Sequence, residues 1–182
     1  MWYAVQVQSG REERIRDWCQ KLIAPSILKE CFIPHYQRKR KYQGEWHTEE
    51  KPLFPGYIFM ISDDAEELFF SLKRIPYLTK LLGDKEQAIS LYPQEVAFLT
   101  QIAGQERCIQ MSYGYIVGDQ VIITEGAMMN FHGKIKHINR HKREAGIEVE
   151  FFGGQLTDIK GGLEIIKKFD KNDDVQLCKM GK

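Results

Sequence analysis

This 182-residue chain lacks the motifs that usually identify a metal site or a common catalytic centre. Its four cysteines form no C-x-x-C pair, which counts against both a zinc site and a redox-active dithiol. The sequence contains no G-x-x-x-x-G-K-[ST], G-x-G-x-x-G or H-E-x-x-H motif. His137 and His141 have the spacing of helical metal ligands, but they flank a predicted turn and do not favour metal binding. We therefore expect a binding protein that is not an enzyme and uses no cofactor.

Long apolar runs and a large net charge are also absent. No segment approaches the length of a membrane span, and the N-terminus lacks a basic region followed by an apolar one, so we expect a cytoplasmic protein without membrane contact. The net charge is +1 with 28% charged residues. Because no global charge attracts nucleic acid, any such binding must come from local clusters.

A strand and then a helix are predicted at the start of the chain. The strand begins at the first residue and ends before Ser9, which forms a capping-box pattern with Glu12. Apolar residues then recur with the spacing of one continuous helical face. They are Ile15, Trp18, Cys19, Leu22 and Ile23. Pro25 ends this helix, and a second strand is predicted over 27–34.

A polar hairpin follows over residues 36–51, with its turn near Gln43 and Gly44. It carries four consecutive basic residues, 38–41, among aromatic side chains. The simpler interpretation is a solvated loop, since long hairpins place charge in water readily. The alternative is a contact with nucleic-acid phosphates.

Two more helices are predicted in the first half of the chain. Residues 62–64 cap a helix whose last turn contains Lys73 and Arg74, as the helix dipole prefers. Pro93 suits the first position of the third helix, and Gly104 suits the position just after its end.

Residues 53–60 form a strand that is apolar on both faces. Tyr57 and Phe59 lie on one face, and Ile58 and Met60 lie on the other. Such a strand needs cover on both sides. Periodicity alone favours a central strand buried in its own domain. The alternative is that a partner protein covers one face, which would leave Phe54 and Tyr57 in a surface patch.

Beyond residue 116 the pattern changes to short alternating strands separated by glycines. The apolar faces are supplied by Val121, Ile123, Ile135, Ile138, Ile147, Val149 and Phe151. Five short strands of this kind predict a small SH3-like barrel. Residues 105–115 show no clear period and are interpreted as a linker, and 170–182 as a flexible polar tail.

Three motifs together resemble the NusG family of transcription elongation factors. They are Trp2-Tyr3, Phe54-Pro55-Gly56-Tyr57 and the Gly118-Asp119-x-Val121 pattern of a KOW domain. The resemblance implies an α+β fold. Its N-terminal (NGN) domain, 1–104, is an α/β sandwich in which helices pack on an antiparallel sheet. A linker over 105–115, a KOW β-barrel over 116–169 and the tail follow.

The resemblance also implies the partners of the N-terminal domain. In this family the domain binds a coiled coil of the largest RNA polymerase subunit and favours the elongating state. The matching positions here are Trp2, Tyr3, Phe54, Pro55, Gly56 and Tyr57. Together with the two-faced apolar strand, the resemblance leads us to expect Phe54 and Tyr57 in a surface apolar patch. Lys73, Arg74 and Lys80 lie in the region that approaches the non-template DNA strand in related proteins. The protein is expected to act as a monomer.

The strongest local charge lies in the predicted barrel, and no acid interrupts it before Glu144. The cluster consists of Lys134, Lys136, His137, Arg140, His141, Lys142 and Arg143. In a strand, Lys134 and Lys136 share the face opposite Ile135. This composition suits phosphate contacts and base stacking on an RNA loop. The alternative is a merely soluble hairpin tip.

The run from Asn139 to Ala145 resembles specialised NusG paralogues of the LoaP type, antiterminators whose KOW domain recognises a leader RNA hairpin. General NusG proteins carry arginine after the Phe-Gly pair, where this chain has Gly154. We therefore expect an antitermination factor that binds a structured leader RNA. Two alternatives remain open: a housekeeping NusG whose KOW domain binds Rho or a ribosomal protein, and a ribosome-associated KOW protein.

Overall fold

A computed structural model describes residues 1–76, 78, 88–131 and 134–169. In these ranges the helices are α1 (Glu12–Leu22), α2 (Ala65–Leu72) and α3 (Pro93–Ala103). The strands are β1 (Trp2–Gln6), β2 (Glu30–Phe32), β3 (His35–Tyr42), β4 (Glu45–Pro52), β5 (Tyr57–Ile61), β6 (Ala88–Ser90), β7 (Cys108–Ile109), β8 (Ser112–Val117), β9 (Gln120–Glu125), β10 (Ile135–Asn139), β11 (Glu144–Phe151) and β12 (Gln155–Phe169). The predicted α+β class is confirmed. No helix in the described ranges has the length and apolar composition that crossing a bilayer requires.

The chain divides into two compact units. The first comprises Met1–His35, Pro52–Arg107 and Glu150–Thr157. The second comprises Tyr36–Lys51, Cys108–Val149 and the chain from Asp158. The polar hairpin therefore belongs to the second unit, and the turn between β11 and β12 belongs to the first.

An antiparallel sheet forms the centre of the first unit. Its strand order is β2-β5-β1-β6, and Val5 of β1 pairs with Ile58 of β5. One face of β5 is buried against both neighbouring helices. That core includes Val5, Ile15, Cys19, Ile58, Met60, Leu68 and Leu72. The amphipathic spacing of α1 and α2 supplies the apolar stripes that cover this face.

Two of the three helices start where local sequence signals predict that they start. Asp64 caps α2 by accepting a hydrogen bond from the Glu67 N–H, 3.0 Å away, and Pro93 occupies the first turn of α3. The capping box at Ser9 is wrong. Helix α1 begins at Glu12, whose carboxylate accepts instead from the Gly56 N–H at 2.8 Å. A distant backbone donor competes successfully for this side chain.

Three predicted boundaries need correction. Strand β2 spans only Glu30–Phe32, because Ile27 and Leu28 donate their N–H groups to the Ala24 carbonyl in a turn. Helix α2 ends at Leu72, so Lys73 and Arg74 follow the helix rather than lying in its last turn. Strand β7 and the start of β8 fall within 105–115, which was expected to be irregular.

The second unit contains the hairpin and a five-stranded sheet. Strands β3 and β4 turn at Gln43 and Gly44, as predicted, and form a sheet in the order β4-β3-β7. The larger sheet has the order β10-β11-β12-β8-β9. Its β9, β10 and β11 coincide with predicted short strands, whereas β8 lies mostly within the expected linker and β12, with 15 residues, is longer than the short strands that were predicted. The predicted polar tail, 170–182, lies outside the described residues.

Candidate interaction sites

The second face of β5 carries an aromatic cluster in the first unit. We define the aromatic cluster as Phe32, Phe54, Tyr57, Phe59, Phe151 and Phe152. The Phe59 ring is fully buried, and its centroid lies 5.8 Å from that of Phe32 and 5.4 Å from that of Phe54. This face is therefore covered by rings, whereas the opposite face of β5 is covered by aliphatic helix residues.

Phe151 and Phe152 complete the aromatic cluster from the turn after β11. Phe152 stacks on Tyr57 with ring centroids 4.7 Å apart and planes inclined by 17°. Phe151 lies 5.1 Å from Phe54, and the Gly153 N–H donates to the Glu95 carboxylate at 3.4 Å. Phe152 has a φ of 55°, in the left-handed region that a bulky side chain rarely adopts. Packing of its ring against Tyr57 compensates for that conformation.

This arrangement corrects the expectation that Phe54 and Tyr57 lie together in a surface patch. Phe54 is only 5% exposed because Phe59, Phe151 and Phe152 surround its ring. Tyr57 is half-buried. The expectation failed because sequence periodicity contains no signal that residues almost a hundred positions away supply the missing cover.

Trp2 and Tyr3 lie on opposite faces of β1. Tyr3 is buried in the core of the first unit, while the half-buried Trp2 packs edge-on against Phe32 at 5.4 Å. The Arg107 guanidinium lies 4.7 Å from the Trp2 ring and pairs with Glu30 at 2.7 Å. Sequence reasoning missed Arg107, since no motif surrounds it. Only Trp2 of this pair is placed to contact a partner directly.

Pro55 and Gly56 form the turn that leads into β5. Pro55 is exposed, and Gly56 has a φ of 83°. A Cβ at Gly56 would lie 2.9 Å from the Ser9 Oγ, and its N–H is held by the buried Glu12. Gly56 thus has a conformational and steric reason to be glycine. The turn fixes where β5 begins and therefore the position of Tyr57.

The residues expected near DNA are only partly described. Lys73 and Arg74 are both exposed directly after α2. The Lys73 ammonium lies 5.2 Å from the Phe70 ring centroid. Lys80 lies outside the described residues.

In the second unit, the predicted basic cluster is centred on the turn between β10 and β11. We define the basic turn as residues 140–143. The Lys142 N–H donates to the Asn139 side-chain oxygen at 2.9 Å, and Arg143 has a φ of 53°. An asparagine that bonds the backbone ahead of it is typical of such turns. Lys134 and Lys136 are exposed on either side of the half-buried Ile135, as predicted.

Acidic residues from neighbouring strands face part of this cluster. They lie outside the basic run in the sequence, so the sequence did not predict these contacts. Lys136 pairs with Glu148 at 3.2 Å, and His137 lies 3.7 Å from Asp158. Arg143 pairs with Glu164 at 2.5 Å and is largely shielded from solvent. These three side chains are consequently less available to an RNA than their sequence context implied.

The hairpin contributes further partners to Arg143 within the second unit. The Arg143 guanidinium lies 3.7 Å from the Trp46 ring centroid, and Glu164 also pairs with Lys39 at 2.5 Å. Arg38 binds both Glu49 and Glu144. Although burial opposes the effect, the hydrogen bond from Arg38 lowers the pKa of Glu49. The basic run 38–41 is therefore partly a structural ion-pair network.

Three side chains of the basic turn remain open to a ligand. Arg140, His141 and Lys142 are exposed, and no carboxylate of the described residues lies within 4.0 Å of them. Guanidinium, imidazole and ammonium groups suit phosphate contacts, and the first two also stack on bases. Within the basic cluster, Lys136, His137 and Arg143 therefore have acidic neighbours. We call the exposed residues Arg140, His141 and Lys142 the open tip of the basic turn.

Comparisons with known proteins agree with the two-part sequence pattern. A family model described as NusG, "Transcription termination factor nusG", matches residues 1–100, and a KOW motif model matches residues 117–150. The "Transcription termination/antitermination protein NusG" of Rickettsia felis is 28% identical over 174 residues, covering 93% of this chain and 90% of that protein. The protein of the same name from Staphylococcus aureus strain Mu50 is 28% identical over 175 residues, covering 92% and 94% respectively.

A solved structure described as "Domain interaction in Thermotoga maritima NusG" has the same fold, with a TM-score of 0.52 and 24% identity. It covers 90% of this chain and 93% of that one. The relatives are named as transcription factors, not as enzymes. The family model spans more than half of the sequence. The chain therefore belongs to the NusG family, with an NGN domain followed by a KOW domain.

Proposed function

We propose that this protein is a specialised antitermination factor of the LoaP type. Its domain 1–104 binds RNA polymerase, and its KOW domain, 116–169, binds a structured leader RNA. The observation that carries the RNA part is the open tip of the basic turn, where Arg140, His141 and Lys142 lack acidic partners among the described residues. The protein works in the cytoplasm as a monomer without a cofactor.

The polymerase contact uses the aromatic face of β5. Tyr57 is a half-buried ring of this face, Trp2 and the turn at Pro55 and Gly56 flank it, and buried Phe54 and Tyr3 support it. A pair of helices from the largest polymerase subunit, laid on such a surface, is a groove-type recognition mode. Binding that favours the closed, elongating polymerase shifts the population away from paused and terminating states.

The RNA contact selects where the factor acts. Phosphate contacts set register and salt dependence, while choice of sequence needs groups that reach unpaired bases. Arg140 and His141 are the candidates for that choice, and Lys134, Lys136, His137, Lys142 and Arg143 complete the basic surface. Tethering to RNA that is being transcribed raises the effective concentration of the factor at the polymerase.

A weaker nucleic-acid contact is proposed on the first unit. Exposed Lys73 and Arg74, with Lys80 nearby in sequence, would approach the non-template DNA strand in the elongation complex. Cations just beyond a helix C-terminus also interact favourably with its dipole, so their presence alone does not require DNA.

A housekeeping NusG is the second candidate function. The relatives that match along most of this chain are named simply as NusG proteins, which favours it. In that case the KOW domain would bind Rho or a ribosomal protein. Gly154, where general family members carry arginine, counts against this role. A ribosome-associated KOW protein would not need the N-terminal domain that residues 1–100 match.

Single-round transcription with purified polymerase and the full chain tests the proposal. The templates carry an intrinsic terminator downstream of either a hairpin selected for binding to this protein or its scrambled counterpart. We expect increased readthrough only with the selected hairpin. Tyr57→Ala should reduce readthrough on the template with the selected hairpin because polymerase binding is weakened, and Arg140→Ala should lower it toward the level of the scrambled template because recruitment by the RNA is weakened. Equal readthrough on both templates with the unmodified protein would favour the housekeeping role.

A further inference from the structure

A groove of about 270 Å³ lies on the polar hairpin, which belongs to the second unit. It is lined by Arg40 and Tyr42 of β3 and by His47 and Glu49 of β4. We call it the β3–β4 groove. The lining residues alternate along each strand, so the two from each strand share one face of the hairpin. The groove therefore gives part of the basic run 38–41 a defined surface.

An exposed aromatic ring forms one side of the β3–β4 groove. Tyr42 is 61% exposed, and its ring meets that of His47 edge-on with centroids 6.5 Å apart. The neighbouring Gln43 side-chain amide donates to the Tyr42 hydroxyl at 3.5 Å. More than half of this tyrosine faces water and is therefore available to a flat ligand such as an unpaired base.

The charges of the groove leave one cation available to an anion. The Glu49 carboxylate is held by Arg38, whose Nε donates to it at 2.6 Å. Arg40 lies 3.9 Å from the same carboxylate, which is too long for a hydrogen bond, and its side chain is 64% exposed. Its N–H groups can therefore donate to a phosphate. Residues 38–47 contain four cations and a single carboxylate, that of Glu45, which favours an anionic ligand.

The polar hairpin lies beside the basic turn in the same unit. Trp46 comes one position before His47 and therefore lies on the other face of β4, where the Arg143 guanidinium is 3.7 Å from its ring centroid. Lys39 and Arg143 both pair with Glu164 at 2.5 Å. These contacts hold the hairpin against the turn whose open tip is proposed to bind RNA. A strand that leaves an RNA stem bound at the tip can continue onto the hairpin.

We propose that the β3–β4 groove binds one unpaired nucleotide of the single strand that flanks the RNA stem. The base stacks on Tyr42, and the adjoining phosphate accepts hydrogen bonds from Arg40. Every base has a π-face, so this contact adds affinity without selecting a sequence. The inference rests on the proposed RNA binding by the KOW domain and adds an unpaired flank to what the RNA must contain. The position of the groove beside the basic turn favours RNA over a separate DNA strand.

The test measures binding of the full chain to one selected RNA hairpin, with and without a short unpaired flank on its 5′ or 3′ side. We expect the flank on one side to strengthen binding by about 10-fold. An abasic residue at the stacked position should remove that gain, whereas exchanging the base there should change affinity by about 2-fold or less. The unlinked flank is measured in parallel, as RNA and as DNA.

Matched substitutions connect the gain to the β3–β4 groove. Tyr42→Leu keeps an apolar side chain without a ring and should remove the gain, whereas Tyr42→Phe keeps the ring and should retain it. Both variants should bind the RNA hairpin without a flank as the unmodified protein does. Arg40→Gln should reduce the gain, and Lys160→Gln, which removes an exposed cation of the second unit outside the groove, should retain it. If Tyr42→Leu fails to fold, the arginine variant decides.

The remaining outcomes are distinct. A flank that adds no affinity, or a gain that survives in Tyr42→Leu, would overturn the β3–β4 groove as a binding site and leave RNA recruitment by the basic turn standing. Failure to bind any structured RNA would overturn the proposed function and this inference with it. Binding of the unlinked DNA strand that depends on Tyr42, together with no gain from the RNA flank, would assign the groove to DNA and overturn the RNA source.

Discussion

In the aromatic cluster, each ring packs against other rings of the first unit, whereas the three open side chains of the basic turn face solvent. Tyr57 is covered by Phe152 at 4.7 Å, and Phe54 is enclosed by three rings. Arg140, His141 and Lys142 have no comparable partners in the described chain. The rings of the aromatic cluster thus already pack against one another, whereas the three exposed side chains of the basic turn can bind a ligand without losing such contacts.

Because of this difference, we expect the binding free energies at the two sites to have different origins. A partner that binds at Tyr57 must replace ring contacts that already stabilise the first unit, so its net gain is reduced. A partner that binds the basic turn displaces only water and counterions, so its affinity falls steeply with salt. Apolar patches are costly to leave exposed in a free protein, whereas exposed cations are not.

The largest effect should come from opening the aromatic cluster itself. Phe59→Ala removes a fully buried ring and should lower the free energy of unfolding by about 3–5 kcal/mol. Phe70→Ala is the control, since Phe70 is 61% exposed and its loss should change stability by about 0.5 kcal/mol or less. Urea unfolding of both variants measures the difference. Similar small losses would mean that the cluster contributes little to the fold.

The next effect concerns polymerase binding by the same strand. Tyr57→Ala keeps the buried core of β5 and should weaken polymerase binding by about 1–3 kcal/mol, as expected for an aromatic hot spot. Tyr42→Ala, at an exposed tyrosine of the hairpin, should leave binding unchanged. Titration of labelled protein with core polymerase gives both values. An unchanged affinity in a folded Tyr57→Ala variant would rule out this face as the contact.

Local signals in the sequence predicted much of the fold. The spacing of Ile15 and Cys19 gave α1, the alternation of Ile147 and Val149 gave β11, and Asp64 and Pro93 gave two helix starts. These features depend on neighbours within a few positions, which the sequence displays directly. The capping box predicted at Ser9 was wrong because the Glu12 carboxylate accepts a long-range hydrogen bond from the Gly56 N–H instead.

The candidate sites were predicted less completely, because their state depends on long-range contacts. The sequence places Arg143 in an uninterrupted basic run, but Glu164 and Trp46 reach it from other strands. Likewise, nothing around Tyr57 indicates that Phe152 will cover it. Residue types and their spacing suggested the chemistry that is proposed for both sites. Their accessibility required the tertiary structure.

The open tip of the basic turn gives the third prediction. Arg140→Ala should weaken binding to a selected hairpin by about 1–3 kcal/mol and should cost less on a scrambled one, because Arg140 is proposed to contact unpaired bases. Lys134→Ala is the comparison, and it should weaken both RNAs equally and reduce the salt slope by about one. A salt series on both RNAs measures these effects. Equal losses on both RNAs for Arg140→Ala would reduce its role to phosphate binding.

The smallest effect should come from removing the ring that covers Tyr57. Phe152→Ala eliminates a stack worth about 0.5–1.5 kcal/mol, so polymerase should bind about 2–10 times more tightly. The sign follows from the proposed polymerase contact, in which Phe152 and the polymerase would compete for the same face of the Tyr57 ring. Leu156→Ala changes an apolar side chain that is 71% exposed in the same segment, and it should leave polymerase affinity unchanged.

A double-mutant cycle shows whether this competition occurs at Tyr57 itself. In a Tyr57→Ala background the contested ring is gone, so adding Phe152→Ala should no longer strengthen polymerase binding. Independent, additive effects of the two substitutions would place the polymerase contact elsewhere and make Phe152 only a packing residue. If Phe152→Ala strengthens polymerase binding only when Tyr57 is present, removal of the Phe152 ring alone is enough to make Tyr57 available to the polymerase.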